Sequence, residues 1–278
     1  MQVAIGLPST IPGVRGAEIV EWARTAEERG FSSLGTIDRI VFPNYEPLTS
    51  LAAAAAVTER IGLLTSVLLG PLRANVALLA KQTASVSGLS DGRFTLGIGL
   101  GGRADDYEAS GLEMRDRGKR LDSILERIQE IWAGSEIGPD ATPRIVLGGD
   151  VPESFRRAAR FGEGWIARGG PPDGYAGMLD NLSAAWEEAG REGEPRKMAL
   201  AYFSLGDDAE ANAQSYLTDY YAFLGEMADQ VAAGAATDSE AVNQAVSAFE
   251  DAGCDELVLF PCSSDPAQVG LLADTLGN

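Results

Sequence analysis

Histidine is absent from this 278-residue chain, and that absence removes more chemistry than any other feature of the composition. Without imidazole there is no Ser-His-Asp or Cys-His arrangement, no side chain that ordinarily titrates near neutrality, and little route to a zinc site. Proton transfer falls to Asp, Glu, Tyr, Cys or the substrate itself. Cysteine is scarce too: Cys254 and Cys262 are the only 2. They are too few for a disulfide framework, which predicts free thiols in a reducing cytoplasm. No apolar run approaches membrane-spanning length, and the opening MQVAIGLPSTIPG lacks the basic and apolar regions of a secretory leader. Basic residues are outnumbered by 41 acidic to 22, a formal charge of −19. That excess of negative charge disfavours nucleic acid and anionic membrane surfaces as partners.

What is present is a repeated alternation of apolar strands and amphipathic helices. Gln2 to Leu7 reads as a buried strand closed by Pro8, and the helix after it buries Ile19, Val20, Trp22, Ala23 and Ala26 before Gly30. Ser32 to Thr36 is a second strand, followed by an alanine-rich helix running to about Arg60; Ile61 to Leu69 is a third, followed by a helix over Arg73 to Leu89. Phe94 to Ile98 is a fourth. Beyond a long loop reaching Asp116, Leu121, Ile124, Leu125, Ile128, Ile131 and Trp132 form one helical stripe. Arg144 to Leu147, Gly164 to Ala167, Met198 to Leu205 and Asp255 to Phe260 complete the strands, with helices at Pro152 to Phe161, Tyr175 to Ala189 and Pro266 to Leu276. The stretch from Ala209 to Ala252 reads as helical, broken around Gly225 and Gly234. Eight strand-helix units without a linker predict an α/β protein, a (β/α)8 barrel in a single domain over residues 1–278.

After the fourth strand stands Gly97-Ile98-Gly99-Leu100-Gly101-Gly102, which matches the dinucleotide pattern G-x-G-x-x-G. Its context is wrong for that use. The fingerprint belongs after a first strand, opens straight into a helix, and has an acidic residue about 20 positions on at the end of strand two; here Asp122, at the right distance, falls within a helix. In a barrel the same glycines lie on the face formed by the C-terminal strand ends, where a flat ligand can approach backbone amides. The other strand ends carry Thr36-Ile37-Asp38-Arg39, Thr65-Ser66-Val67, Gly148-Gly149-Asp150, Arg168-Gly169-Gly170 and Pro261-Cys262-Ser263-Ser264. The barrel brings them all around one mouth.

Asp38-Arg39, Leu63 to Val67, Leu79-Ala80-Lys81-Gln82, Leu89 to Arg93, Leu96 to Gly99 and the closing Ala252 to Pro261, taken in that order and spacing, resemble the bacterial luciferase-like superfamily of flavin and F420-dependent oxidoreductases. The resemblance spans nearly the whole chain. It implies a luciferase-like TIM barrel holding an isoalloxazine or deazaflavin ring in its mouth, backed by a non-prolyl cis peptide at Ser66-Val67. It implies F420 as cofactor with FMN as the alternative, a small-molecule substrate and a homodimer, to which the helix around Ala52 to Val57 would contribute.

By position, the resemblance makes Asp38 and Arg39 the polar groups beside the reacting atoms and sets Thr36, Ser66, Val67, Leu100, Gly101 and Gly102 against the ring. The cofactor phosphate falls to Gly149, Ser154, Arg168, Gly169 and Gly170; for Ser154, ordinary helix capping competes. Two departures matter. Arg39 stands where relatives often have histidine, and it cannot cycle as a base; an ion pair with its neighbour Asp38 is the plainer role. Gly102 stands where some F420-dependent relatives place a glutamate proton donor, while Asp105, Asp106 and Glu108 nearby read as a solvated acidic loop. Cys262 reads as a small buried hydrophobe. The expected activity is hydride transfer between F420 and a small organic substrate. An FMN monooxygenase on the same fold, and a cofactor-binding protein without turnover, stand as the alternatives.

Overall fold

Alternation along the strands divides this molecule into an inner and an outer core. The computed structural model describes residues 1–170 and 172–277. Its strands are β1 (Gln2–Gly6), β2 (Ser33–Thr36), β3 (Gly62–Thr65), β4 (Leu68–Leu69), β5 (Phe94–Gly99), β6 (Arg144–Gly148), β7 (Gly164–Ile166), β8 (Arg196–Phe203) and β9 (Glu256–Pro261). They hydrogen-bond in parallel in the order β3-β2-β1-β9-β8-β7-β6-β5-β4, and a β3–β5 pairing closes the ring. Because β3 and β4 are successive halves of one stave, the result is an eight-stave α/β barrel. Successive strand residues point to opposite faces. Val258 and Phe260 of β9 therefore join Met198, Leu200 and Tyr202 of β8 in the barrel interior, while Leu257 and Leu259 join the layer beneath the helices.

The surrounding helices are α1 (Gly16–Glu28), α2 (Pro47–Ala55), α3 (Val76–Leu89), α4 (Ala104–Ala109), α5 (Arg117–Ala133), α6 (Pro152–Phe161), α7 (Tyr175–Glu188), α8 (Ala209–Tyr220), α9 (Met227–Ala233), α10 (Ser239–Asp251) and α11 (Ala267–Leu276). On α5 the apolar stripe buries Leu121, Ile124, Leu125, Ile128 and Ile131; each is worth about 1.5–3 kcal/mol on removal from water. The same stripe leaves Glu126, Arg127 and Glu130 exposed.

Three differences from the sequence reading have local causes. The alanine-rich helix stops at Ala55 rather than near Arg60: the Thr58 hydroxyl donates to the Ala54 carbonyl, and the Glu27 carboxylate accepts from the N–H groups of Glu59, Arg60 and Ile61, turning the chain into β3. The third strand is interrupted by a cis Ser66-Val67 peptide, the position that the resemblance implies. The next helix starts at Val76, since Pro71 sits in a preceding 3-10 turn and the Asn75 side chain caps the Leu78 N–H at 3.0 Å.

The segment between β8 and β9 does more than return the chain. Ala213, Tyr216, Leu217 and Tyr220 of α8 and Ala232 of α9 pack with the inward-facing Leu200, Tyr202 and Phe260, so α8 and α9 cap part of the barrel end. A hydrogen bond of 2.7 Å between the Tyr216 and Thr10 hydroxyls ties the cap to the loop after β1.

Candidate functional site

At the C-terminal ends of the strands lies a cavity of about 200 Å³ lined by the loops after β2, β5, β6 and β7, the β3–β4 link, residues at the ends of β4, β6, β7 and β8, Asp106 of α4, and the α8 cap. Its floor is the link between β3 and β4. Val67 there reaches over the backbone of β5, the neighbouring stave, and of β6 beyond it: a Cβ on Gly99 would come within 2.7 Å of Val67 Cγ2, and one on Gly148 within 2.9 Å of Val67 Cγ1. Glycine at both positions makes room for the Val67 side chain. The Ser66 hydroxyl, buried beside Val67, has no hydrogen-bond partner.

One wall carries a pair of separated ion pairs. Asp38, 3% exposed, accepts from the Leu69 N–H at 2.8 Å and from Arg73 at 2.6 Å through Oδ2, while its Oδ1 is buried without a partner. Burial pushes the Asp38 carboxyl above its ordinary value, against the pull of Arg73 and the Leu69 N–H and with a small push from Glu46. Arg39, 7% exposed, donates to Asp106 Oδ2 at 2.8 Å and Asp105 Oδ2 at 3.0 Å. Asp106 also accepts from the Ile40 and Val41 N–H groups at 2.9 and 2.7 Å. Asp38 and Arg39 thus face different partners and form no pair with each other. Asp106, 1% exposed, is no solvated loop acid either: its carboxylate anchors the loop after β2 to α4. Asp105 and Glu108 are exposed.

The lining next to Arg39 is aromatic, with Tyr220 5.7 Å from the Arg39 guanidinium. Tyr202 and Tyr221 share a hydrogen bond of 2.7 Å between hydroxyls, and the Arg103 guanidinium lies 4.3 Å from the centre of the Tyr220 ring and 4.2 Å from that of Phe223. Burial raises the pKa of Tyr202, Tyr216, Tyr220 and Tyr221, so all four stay neutral phenols at physiological pH.

Of the residues the sequence singles out, Asp38, Arg39, Ser66, Val67, Gly101, Gly102, Gly149, Arg168 and Gly169 line this cavity. Thr36 lies one layer below, fully buried in β2. Leu100 faces a neighbouring groove with Met114 and Arg157, its carbonyl taking the Tyr107 hydroxyl. Ser154 is buried behind Gly149, whose hypothetical Cβ would lie 2.3 Å from Ser154 Oγ. It makes no capping bond at the start of α6. Gly170 is exposed and outside the lining, and Arg168 reaches out to Asp150 at 2.8 Å. Cys262 is buried in the inner core, where burial pushes its thiol up to about 12.

Sequence reasoning missed Leu69, Arg73, Arg103, Tyr202, Tyr220, Tyr221 and Phe223. The spacing Arg103-Ala104-Asp105-Asp106, directly after the glycine run, was an available signal for a structured loop, whereas nothing local ties the tyrosines after β8 to the mouth. Among the described residues there is no cluster of His, Cys, Asp and Glu able to hold a metal, and no helix long and apolar enough to cross a membrane.

The fit to a flat, hydrogen-bonding ring is favourable on this geometry. Val67 between two glycines gives a smooth apolar floor, and the unpartnered Asp38 Oδ1 and Ser66 Oγ offer an acceptor and a hydroxyl on residues of the wall.

Known proteins bear on the same architecture. The chain is 30% identical over 207 residues to an uncharacterized protein of Mycobacterium tuberculosis, covering 61% of this chain and 71% of that one. It is 28% identical over 202 residues to an F420-dependent glucose-6-phosphate dehydrogenase of Amycolatopsis mediterranei, covering 64% of this chain and 60% of the dehydrogenase. Two solved structures share the fold. An F420-dependent secondary alcohol dehydrogenase superposes with a TM-score of 0.81 at 16% identity, over 99% of this chain and 97% of its own. An FMN-bound 3,6-diketocamphane monooxygenase component of Pseudomonas putida superposes with a TM-score of 0.72 at 17% identity, over 98% and 96%. The family described as luciferase-like monooxygenase matches residues 1–274, and with this barrel and this mouth the chain belongs to that family.

Proposed function

We propose that this protein is an F420-dependent oxidoreductase that transfers a hydride between the deazaflavin and a small organic substrate. The observation that carries the reading is the floor: Val67, whose side chain packs against Gly99 and Gly148, lines the cavity with Asp38 on its wall. The similarity to F420-dependent dehydrogenases of 28% identity favours the deazaflavin over FMN.

Ser66, Val67, Gly101, Gly102 and Gly148 would hold the ring, and Gly149, Ser154, Arg168 and Gly169 its phosphate. When bound, the deazaflavin supplies the hydride chemistry, and the protein supplies position and electrostatics. The residues divide that work. Val67 sets the plane on which a ring rests. Asp38, raised by burial and with Oδ1 unpartnered, is the group that takes or gives a proton at that oxygen, while Arg73 and the Leu69 N–H fix its other oxygen. Arg39, pinned by Asp106, orders the loop after β2. The tyrosine wall excludes water from the inner half of the cavity.

The test is spectroscopic. The protein is mixed with oxidised F420 and a panel of primary and secondary alcohols and sugar phosphates, and with reduced F420 and a panel of ketones and enones, following deazaflavin absorbance. Turnover with at least one substrate, lost in Asp38→Asn, is the expected result. Absence of turnover in both directions with bound F420 would leave a cofactor-binding protein, and turnover only with reduced FMN and oxygen would make it a monooxygenase.

A further inference from the structure

The mouth contains three cations, and two are neutralised. Arg39 is bound by Asp105 and Asp106, and Arg168 by Asp150. Arg103 is different: among the described residues no carboxylate forms an ion pair with it, although the chain has 41 acidic residues. Its one hydrogen bond runs from Nη1 to the Tyr220 carbonyl. Asp106, the nearby carboxylate that would serve, is committed to Arg39 and two backbone N–H groups. Burial acts against the Arg103 charge, as does the neighbouring Arg39, while Asp106 favours it. The guanidinium is held between the Tyr220 and Phe223 rings, with Tyr221 5.4 Å away.

Such an arrangement fixes the plane of the guanidinium and leaves N–H groups free at the cavity lining, since none of its nitrogens is buried without a partner. A half-buried fork held against aromatic rings and paired with no carboxylate of the described residues matches a carboxylate, which it can bind bidentately. Phe223, 53% exposed, adds an aromatic edge beside it. We propose that Arg103 binds the carboxylate of the substrate, making this an enzyme for small, flat organic acids. The inference rests on the reading above that the cavity takes a cofactor and a substrate together. The same oxyanion chemistry is offered by the phosphate and carboxylates of the cofactor, so the test separates the two sources.

The probes are benzoate and its neutral counterpart benzamide, titrated by calorimetry into cofactor-loaded and cofactor-free protein, wild type and the variants Arg103→Gln and Arg103→Lys. Cofactor affinity is measured separately on each. Expected is a preference for benzoate over benzamide of at least about tenfold in the wild type, abolished in Arg103→Gln and partly kept in Arg103→Lys, with cofactor affinity unchanged. Equal binding of the two probes by the wild type would overturn the proposal. So would weaker cofactor binding in Arg103→Gln with benzoate unaffected, because the anion would then be the cofactor's. If wild type binds neither F420 nor FMN, the functional reading fails, and the cofactor-free titrations still decide the role of Arg103.

Discussion

Val67 and Gly148 stand so close that a single methyl group added to the glycine would lie 2.9 Å from Val67 Cγ1. Gly148→Ala therefore has to displace the floor of the cavity. It is expected to cost about 1–3 kcal/mol of stability and to weaken cofactor binding by about tenfold or more. Thermal denaturation and cofactor titration check both parts; an unchanged affinity would mean that Val67 is not the surface the ring rests on.

Adjacent glycines at the end of β5 differ in the same way. Gly101 has φ +70° and a Cβ there would meet Leu69 at 2.8 Å, whereas a Cβ on Gly102 meets nothing within 4 Å. Gly101→Ala is expected to lose about 1–3 kcal/mol and Gly102→Ala less than about 0.5 kcal/mol, as read from urea unfolding. Gly102→Glu, restoring the acid that some relatives carry, should fold as well as the parent and place a carboxyl at the mouth.

Asp38 and Glu27 give opposite pH dependences. Burial, opposed by Arg73 and the Leu69 N–H, raises the Asp38 pKa from 3.8, so the stability its protonated form provides is present below that value and is lost as pH rises through the folded-state pKa. The stability of wild type relative to Asp38→Asn should fall across that window. Activity should drop about a hundredfold or more in the variant, with the limb of the pH profile that Asp38 sets removed: the acid limb where it takes the proton, the alkaline limb where it gives it.

Glu27 is the converse. Burial opposes its ionisation, but the N–H groups of Ile61, Arg60 and Glu59 together hold its pKa below 4.5. Its contribution is present above that value and is lost as pH falls through the folded-state pKa. Glu27→Ala should cost about 1–3 kcal/mol at neutral pH and progressively less in acid, by urea unfolding at a series of pH values.

Much of the barrel was legible because its elements carry local patterns: the α5 stripe and the apolar run Leu257 to Phe260 are examples. The position of Asp38, Ser66, Val67 and Gly149 at one mouth followed from where strands end. Their partners did not. Arg73 lies 35 residues from Asp38 and Asp106 lies 67 from Arg39, so adjacency in sequence suggested the wrong ion pair. The cap was harder still. Tyr216 and Tyr220 sit on α8, which carries only a weak apolar stripe although it packs on the barrel interior. Arg103 reads as a loop cation until α8 and the Phe223 turn are brought over it.

The most direct measurement is a parallel fluorescence titration of the purified protein, wild type and Gly148→Ala, with F420 and with FMN. Saturable F420 binding by the wild type, tighter than FMN and weakened in the variant, is the predicted result. Binding of neither cofactor, or F420 affinity indifferent to Gly148→Ala, would contradict a deazaflavin seated on Val67.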